Sequence, residues 1–356
     1  MSTPTSKLPP QSLRTLQQLA VRAQRDGLVL FVGSGISAGL VPMWNRLLGD
    51  LLDIALKEAA LQEVSIKRDS DVLGQWIKSH FDVCAKASLI KQILGPERYR
   101  AEVRNALYKK CFDIKTRMRE DFEERKKGRQ GKAPFEAIWH VASLCSRPTV
   151  RAVATFNFDT LLETAIECIG LRAPRPYCGE ASLRSTQSSG ERDLPIFHVH
   201  GRLLPPTSLV RDPRASVVFS YDEYFDKNAD PLSWETTTPL HLLRNYCSLW
   251  LGASMTDWNM LRLLYGANGA ADKPRVFCLQ CLEEAKDAEN HKPAAMRFQA
   301  TLLKSVGVKL IVAGADYADV WHVLAEHITN QLPKYPEKQT KQETEKLCPL
   351  KSIKSR

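Results

Sequence analysis

Two periodicities alternate along this chain. Residues 28–32 are five consecutive apolar positions, the pattern of a strand covered on both faces. Shorter strand-like runs follow at 150–154, 195–200, 216–219, 247–251, 275–280 and 308–312. Between them apolar residues recur at helical spacing. Leu13, Leu16, Leu19 and Ala20 mark a helix ending near Gly27, and Trp44, Leu47, Leu48, Leu51 and Leu52 mark the next. Further helices are expected over 101–110, 117–129, 135–144, 160–169, 239–246, from about 257 through 264, 294–305 and 317–332, with a short helical start at 221–225.

Strands alternating with helices imply an α/β fold, a Rossmann-like doubly wound and mainly parallel sheet covered on both faces. The simplest such fold would place a second strand directly after the helix at Trp44. Instead, residues 57–145 read as helical or polar, so a helical insertion or small domain is expected between the first two strands. Asp50 and Asp53 lie near the distance at which a ribose-binding acid is expected, but they belong to that helix and not to a strand tip. Residues 1–10, rich in Pro, Ser and Thr, read as a loose arm. Residues 170–192 hold Gly, Pro and Ser and read as a surface loop.

Composition narrows the class. A chain of 356 residues has room for a large core and two domains. Its apolar runs are too short to span a bilayer and its start lacks the apolar core of a signal peptide, so a soluble cytoplasmic protein is expected. The formal charge of +10 brings nucleic acid to mind. Much of that excess falls in residues 109–132, with ten basic and five acidic residues, and in the tail from Leu332, with seven and three. Both read as solvated segments, the tail as disordered, so direct nucleic-acid binding is not expected. The nine cysteines are scattered, apart from Cys278 and Cys281. With no second C-x-x-C to complete a four-ligand site, these two are expected to be buried thiols, and no zinc is expected.

The candidate chemistry begins at Gly33. Gly33, Gly35 and Ala38 match G-x-G-x-x-G/A directly after a strand and before a helix. That spacing lets backbone amides approach a pyrophosphate; an ordinary strand-to-helix turn is the alternative. In doubly wound folds ligands sit beyond the carboxyl ends of the strands. Four such ends carry small or polar residues: Gly33-Ser-Gly-Ile-Ser37, Thr155-Phe-Asn-Phe-Asp159, His198-Val-His-Gly201 and Gly252-Ala-Ser254. Each has a plainer reading. Asn157 suits a helix cap, and Trp44 suits core as well as lid. His198 suits a hydrogen-bonded strand position, and His198 with His200, two residues apart on a strand, could share a metal.

In order and spacing these four segments resemble the sirtuin family, whose G-A-G-I-S loop, T-Q-N-I-D strand end, histidine before glycine and G-x-S loop build one NAD site. The resemblance covers about residues 15–330. Two departures stand out: the paired C-x-x-C zinc module of protein-deacylating sirtuins is missing, and Pro42-Met-Trp44 replaces their P-D-F-R segment. With Ser220-Tyr-Asp-Glu-Tyr224 and Ser254-Met-Thr-Asp257, the chain looks more like the sirtuin-like NAD hydrolases of bacterial anti-phage defence.

The resemblance implies an arm at 1–12, an NAD-binding domain at 13–332 with a helical insertion at about 57–146, and a basic tail at 333–356. It implies hydrolysis of NAD+ to nicotinamide and ADP-ribose in abortive infection. Asn157 would hold a ribose hydroxyl or water and His200 would act as base. Backbone amides around Gly33, Ser34 and Gly35 would hold the phosphates with Ser254 assisting, Ser37 and Gly252 would also bind the cofactor, Asp159 would secure the loop or a ribose hydroxyl, and Pro42 and Trp44 would cover the nicotinamide end. With no sensor domain expected after residue 332, regulation is expected from a homo-oligomer and a partner, a hexameric ATPase of the HerA type or an Argonaute-like guide complex. An NAD-dependent protein deacylase and a non-catalytic scaffold sensing NAD or ADP-ribose are the rival functions.

Overall fold

All five residues of strand β1 (Leu28–Val32) are buried, as a run apolar on both faces requires. In the computed structural model β1 is the middle of a seven-stranded, all-parallel sheet ordered β3-β4-β2-β1-β5-β6-β7. The structure describes residues 8–335 except 63, 110–112, 130, 180–189, 191, 207, 209–216, 256, 269–274, 281–291 and 315–316. The other strands are β2 (Val150–Thr155), β3 (Ala173–Tyr177), β4 (Asp193–His198), β5 (Cys247–Leu251), β6 (Val276–Gln280) and β7 (Val308–Val312). Thirteen α-helices flank the sheet among the described residues, an α/β Rossmann-like arrangement.

Alternation along β1 divides the core. Leu28, Leu30 and Val32 pack on one face, with α1 (Pro10–Asp26), α2 (Trp44–Gln62), α7 (Glu136–Cys145) and α8 (Leu161–Ile169). Val29 and Phe31 point to the other face, toward α10 (Trp234–Asn245) and α11 (Trp258–Asn268). There Phe31 stacks on Trp250 of β5 with ring centroids 4.5 Å apart. Among the described residues every named element between β1 and β2 is helical: α2 runs on past residue 57 to Gln62, then come α3 (Val64–His80), α4 (Val83–Leu94), α5 (Pro96–Tyr108), α6 (Ile114–Lys126) and α7. Asp53 sits on α2 and pairs with Lys78 at 2.7 Å.

Several expectations needed correction. Helix α1 takes in residues 10–12 of the expected arm, because the Ser12 hydroxyl donates to the Val312 carbonyl (3.0 Å) and clips the helix to the end of β7. The loop expected at 170–192 contains β3. Pro174 and Pro176 disguise it, yet they fall at alternate positions, so the donors they lack would face away from β4 on the open edge. Strand β4 stops at His198, leaving His200 in the turn beyond it. The expected strand at 216–219 is irregular over its described residues; Val217 and Phe219 are buried without a ladder. Cys278 is a buried thiol pushed up to about 12 by burial, while Cys281 and the tail from residue 336 lie outside the described residues. Among the described residues no helix is long and apolar enough to cross a membrane, and no group of three His, Cys, Asp or Glu could hold a metal.

Candidate active site

Register sets the site. Val32 pairs with both Thr155 and Leu251, and Thr155 pairs with His198. The carboxyl ends of β1, β2, β4 and β5 are therefore level, and the segments following them meet above the sheet around a cavity of about 1090 Å³. Organic ligands commonly occupy about 300–1,000 Å³, so this space is of dinucleotide size. Gly33, Ser34, Gly35, Trp44, Asn157, His200, Gly252 and Ser254 line it; Ser37, Pro42 and Asp159 do not.

The glycines serve a different purpose from the expected one. The Gly33 amide donates to the Leu251 carbonyl and the Gly35 amide to the Gly252 carbonyl, each at 2.9 Å. Those two amides are therefore spent on joining the β1 and β5 loops and are not aimed at a phosphate. Ser34 opens a 3-10 turn (Ser34–Ser37), at the position where a helix offers its amide no acceptor of its own. Gly252 has φ +65°, and a Cβ there would lie 2.7 Å from the Ile36 nitrogen, so close loop packing demands glycine.

Asn157 is 4 % exposed. Its amide nitrogen donates to the Gly33 carbonyl (3.2 Å) and to the Ser37 hydroxyl (3.3 Å). Because a backbone carbonyl only accepts, the first of these bonds fixes the orientation of the amide. The other end, Oδ1, is buried with no hydrogen-bond partner. A buried acceptor left unmatched is costly and calls for a donor from outside the protein.

Ser37 and Asp159 stand behind Asn157. The Ser37 hydroxyl donates to one Asp159 oxygen (3.0 Å), and the Leu161 amide, at the start of α8, donates to the other (3.1 Å). Burial pushes the Asp159 carboxyl up to about 6, opposed by these two donors. The unfolded chain therefore binds fewer protons than the folded one between about pH 3.8 and 6, and stability contributed here falls as pH rises through that window. Asp159→Asn, which keeps the shape, is expected to flatten this part of a plot of melting temperature against pH. An unchanged slope would assign it to other groups.

The two histidines part company. His198 is fully buried, with Nε2 2.9 Å from Glu163 on α8 and Nδ1 3.3 Å from the Asn157 carbonyl. Burial alone would raise the Glu163 carboxyl, but His198 and Arg202, 3.4 Å away, outweigh it and hold the group below its ordinary value. His200 instead faces the cavity, edge-on to Phe156 with centroids 5.1 Å apart and with Nδ1 3.5 Å from the Tyr224 hydroxyl. The rings that could have shared a metal serve separate neighbours. Burial lowers the His200 imidazole to about 4, with Asp257 and Glu235 acting in the opposite direction. It is therefore neutral near pH 7, a proton acceptor, though a weak one.

Much of the wall was not legible as a site. Trp44 packs against Phe158 and Phe219, at 4.8 and 4.6 Å between centroids, and also lines the cavity. The wall also brings Asp82 and Cys84, at the start of α4, to Tyr221 and Tyr224 of α9 (Tyr221–Ala229). Helix α4 is joined to α9 by a Tyr221–Asp82 hydrogen bond, by the Tyr221 amide on Ser88 (2.8 Å) and by Lys91 to Asp222 and Glu223 (2.6 and 2.9 Å). Tyr224 and Asp257 lay in segments already singled out in the sequence; nothing pointed to Asp82 or Cys84. Among the described residues the lining includes two carboxylates, Asp82 and Asp257, and no Lys or Arg. Such a wall favours a ligand with positive charge at this end.

The family model described as SIR2-like domain matches residues 151–311, from β2 to β7. This match supports a sirtuin-like family and NAD-linked chemistry, and it leaves the glycine loop and Trp44 outside the matched stretch. Comparison with curated proteins gives no match.

Proposed function

We propose that this protein hydrolyses NAD+ to nicotinamide and ADP-ribose in the cavity above β1, β2 and β5. The observation that carries the reading is the buried, unpartnered Oδ1 of Asn157, which shares one cavity with His200. Oδ1 accepts a hydrogen bond from a ribose hydroxyl, while the locked amide nitrogen prevents Asn157 from turning away. The C1′–N bond breaks with its electron pair going to the ring nitrogen, so nicotinamide leaves neutral and no acid is required. Positive charge moves onto the ribose, where Asp257 favours it. Water adds to C1′ and its proton passes to His200 and then to solvent, which balances NAD+ and water against nicotinamide, ADP-ribose and a proton. A sugar cation is a strong electrophile, so a weak base placed well is sufficient. Ser34 and Ser254 supply polar contacts for the diphosphate, and Trp44 packs at the nicotinamide end.

The deciding experiment is nicotinamide release by the pure full-length chain with NAD+ alone. Release without any acylated peptide favours hydrolysis over deacylation; binding without turnover, also in the presence of proteins encoded beside it, favours a scaffold. If His200 is the base, the acid limb of kcat/KM is expected near pH 4 and not near 6.5. His200→Ala is expected to remove the limb and to lower turnover by about 10²-fold, the low end for a general base. A limb that survives the substitution assigns the base elsewhere. By the resemblance stated above, the setting is anti-phage defence in the cytoplasm, with a domain spanning 13–332 restrained by self-assembly and a partner protein.

A further inference from the structure

A second cavity, of about 810 Å³, opens at the other end of the sheet. Arg147 precedes β2, Gly170 and Leu171 precede β3, and Arg192 precedes β4, so this space lies at the amino ends of the strands. The NAD site proposed above lies at their carboxyl ends.

Arg147 sets this cavity apart. It is 6 % exposed, its Nε is buried without a partner, and no carboxylate forms an ion pair with its guanidinium among the described residues. Burial accordingly lowers its pKa, with nothing opposing. Other cations nearby have partners, although the Arg172 Nε is likewise buried without one and Arg125 is only half-buried. Arg172 donates to the Val150 and Asp193 carbonyls at 2.6 and 2.7 Å, and Arg125 pairs with Asp121 at 2.7 Å. A shielded guanidinium with no counter-charge carries a desolvation cost that nothing inside the protein offsets.

We propose that this cavity binds a small organic phosphate of mononucleotide size, with Arg147 as the phosphate ligand. Guanidinium groups pair with phosphate in a bidentate fork. Arg192 and Lys334 add positive charge, and among the described residues the lining contains no Asp or Glu. The C-terminal ends of α7 and α8 bring partial negative charge to the same place, so side chains and not helix termini hold the anion. Trp139 and Tyr335 add aromatic surface, Tyr335 with the Arg192 guanidinium 5.3 Å from its ring centroid. That surface and the volume suit a base attached to the phosphate, and inorganic phosphate would leave both unused.

The assignment is independent of the reaction proposed for the first cavity. Isothermal titration of the full chain with AMP, ATP and inorganic phosphate tests it. AMP or ATP is expected to bind, with affinity falling about tenfold or more in Arg147→Gln, falling less in Lys334→Ala, and unchanged in Asn157→Ala. Arg147→Gln removes an uncompensated buried charge and is expected to fold; if it does not, Lys334→Ala decides. Failure of both nucleotides to bind overturns the proposal. So does equal binding by both cavity variants, or binding lost only in Asn157→Ala. Inorganic phosphate binding as tightly as AMP would overturn the mononucleotide assignment.

Discussion

Asn157→Ala is expected to lower nicotinamide release from NAD+ by about 10²–10³-fold, the range for deleting one preorganised hydrogen-bonding group at a reacting centre. The substitution removes the unpartnered Oδ1 and leaves the Gly33 carbonyl and the Ser37 hydroxyl without their donor. The second loss predicts a lower melting temperature as well, measured alongside turnover. Asn157→Asp is not a milder change. It puts a carboxylate oxygen where Nδ2 now meets the Gly33 carbonyl, and two acceptors cannot satisfy each other. It is expected to fail on both measurements. Near-normal turnover in Asn157→Ala would mean that the reaction takes place elsewhere.

Gly252→Ala is expected to cost the fold about 1–3 kcal/mol from the left-handed backbone alone. The approach of a Cβ to the Ile36 nitrogen at 2.7 Å then adds to that cost. Denaturant unfolding measures the sum. Because Gly252 joins the loops after β1 and β5, the cavity is expected to deform in the same variant and substrate affinity to fall with stability. A loss of only a few tenths of a kcal/mol would mean that these loops do not pack as closely as described.

The sheet was legible wherever burial on both faces leaves an apolar run, unbroken in β1 and interrupted only by Ser248 in β5. It was illegible at β3, where edge position permits the prolines that ordinarily argue against a strand. The irregular stretch at Val217–Phe219 shows the opposite failure, since apolar residues can be buried without a ladder. Around the site, short motifs at strand ends marked which loops gather, because topology brings those ends together. They did not reveal what each loop does there: the Gly33 and Gly35 amides grip the neighbouring loop, and Ser37 and Asp159 sit behind Asn157. The contribution of α4 was hidden for another reason. A helical period reports which face is covered and not what covers it.

The links between α4 and α9 join residues more than 130 positions apart in the sequence, as Lys91 and Asp222 are. Contacts that distant close late in folding, since long loops must first be drawn together. A nascent chain can complete β1, its glycine turn and α4 and still lack Asn157, His200 and the wall that α9 supplies. Competence is thereby withheld until synthesis has passed α9 and the loop after β5, which would keep the proposed NAD-consuming centre silent on the ribosome.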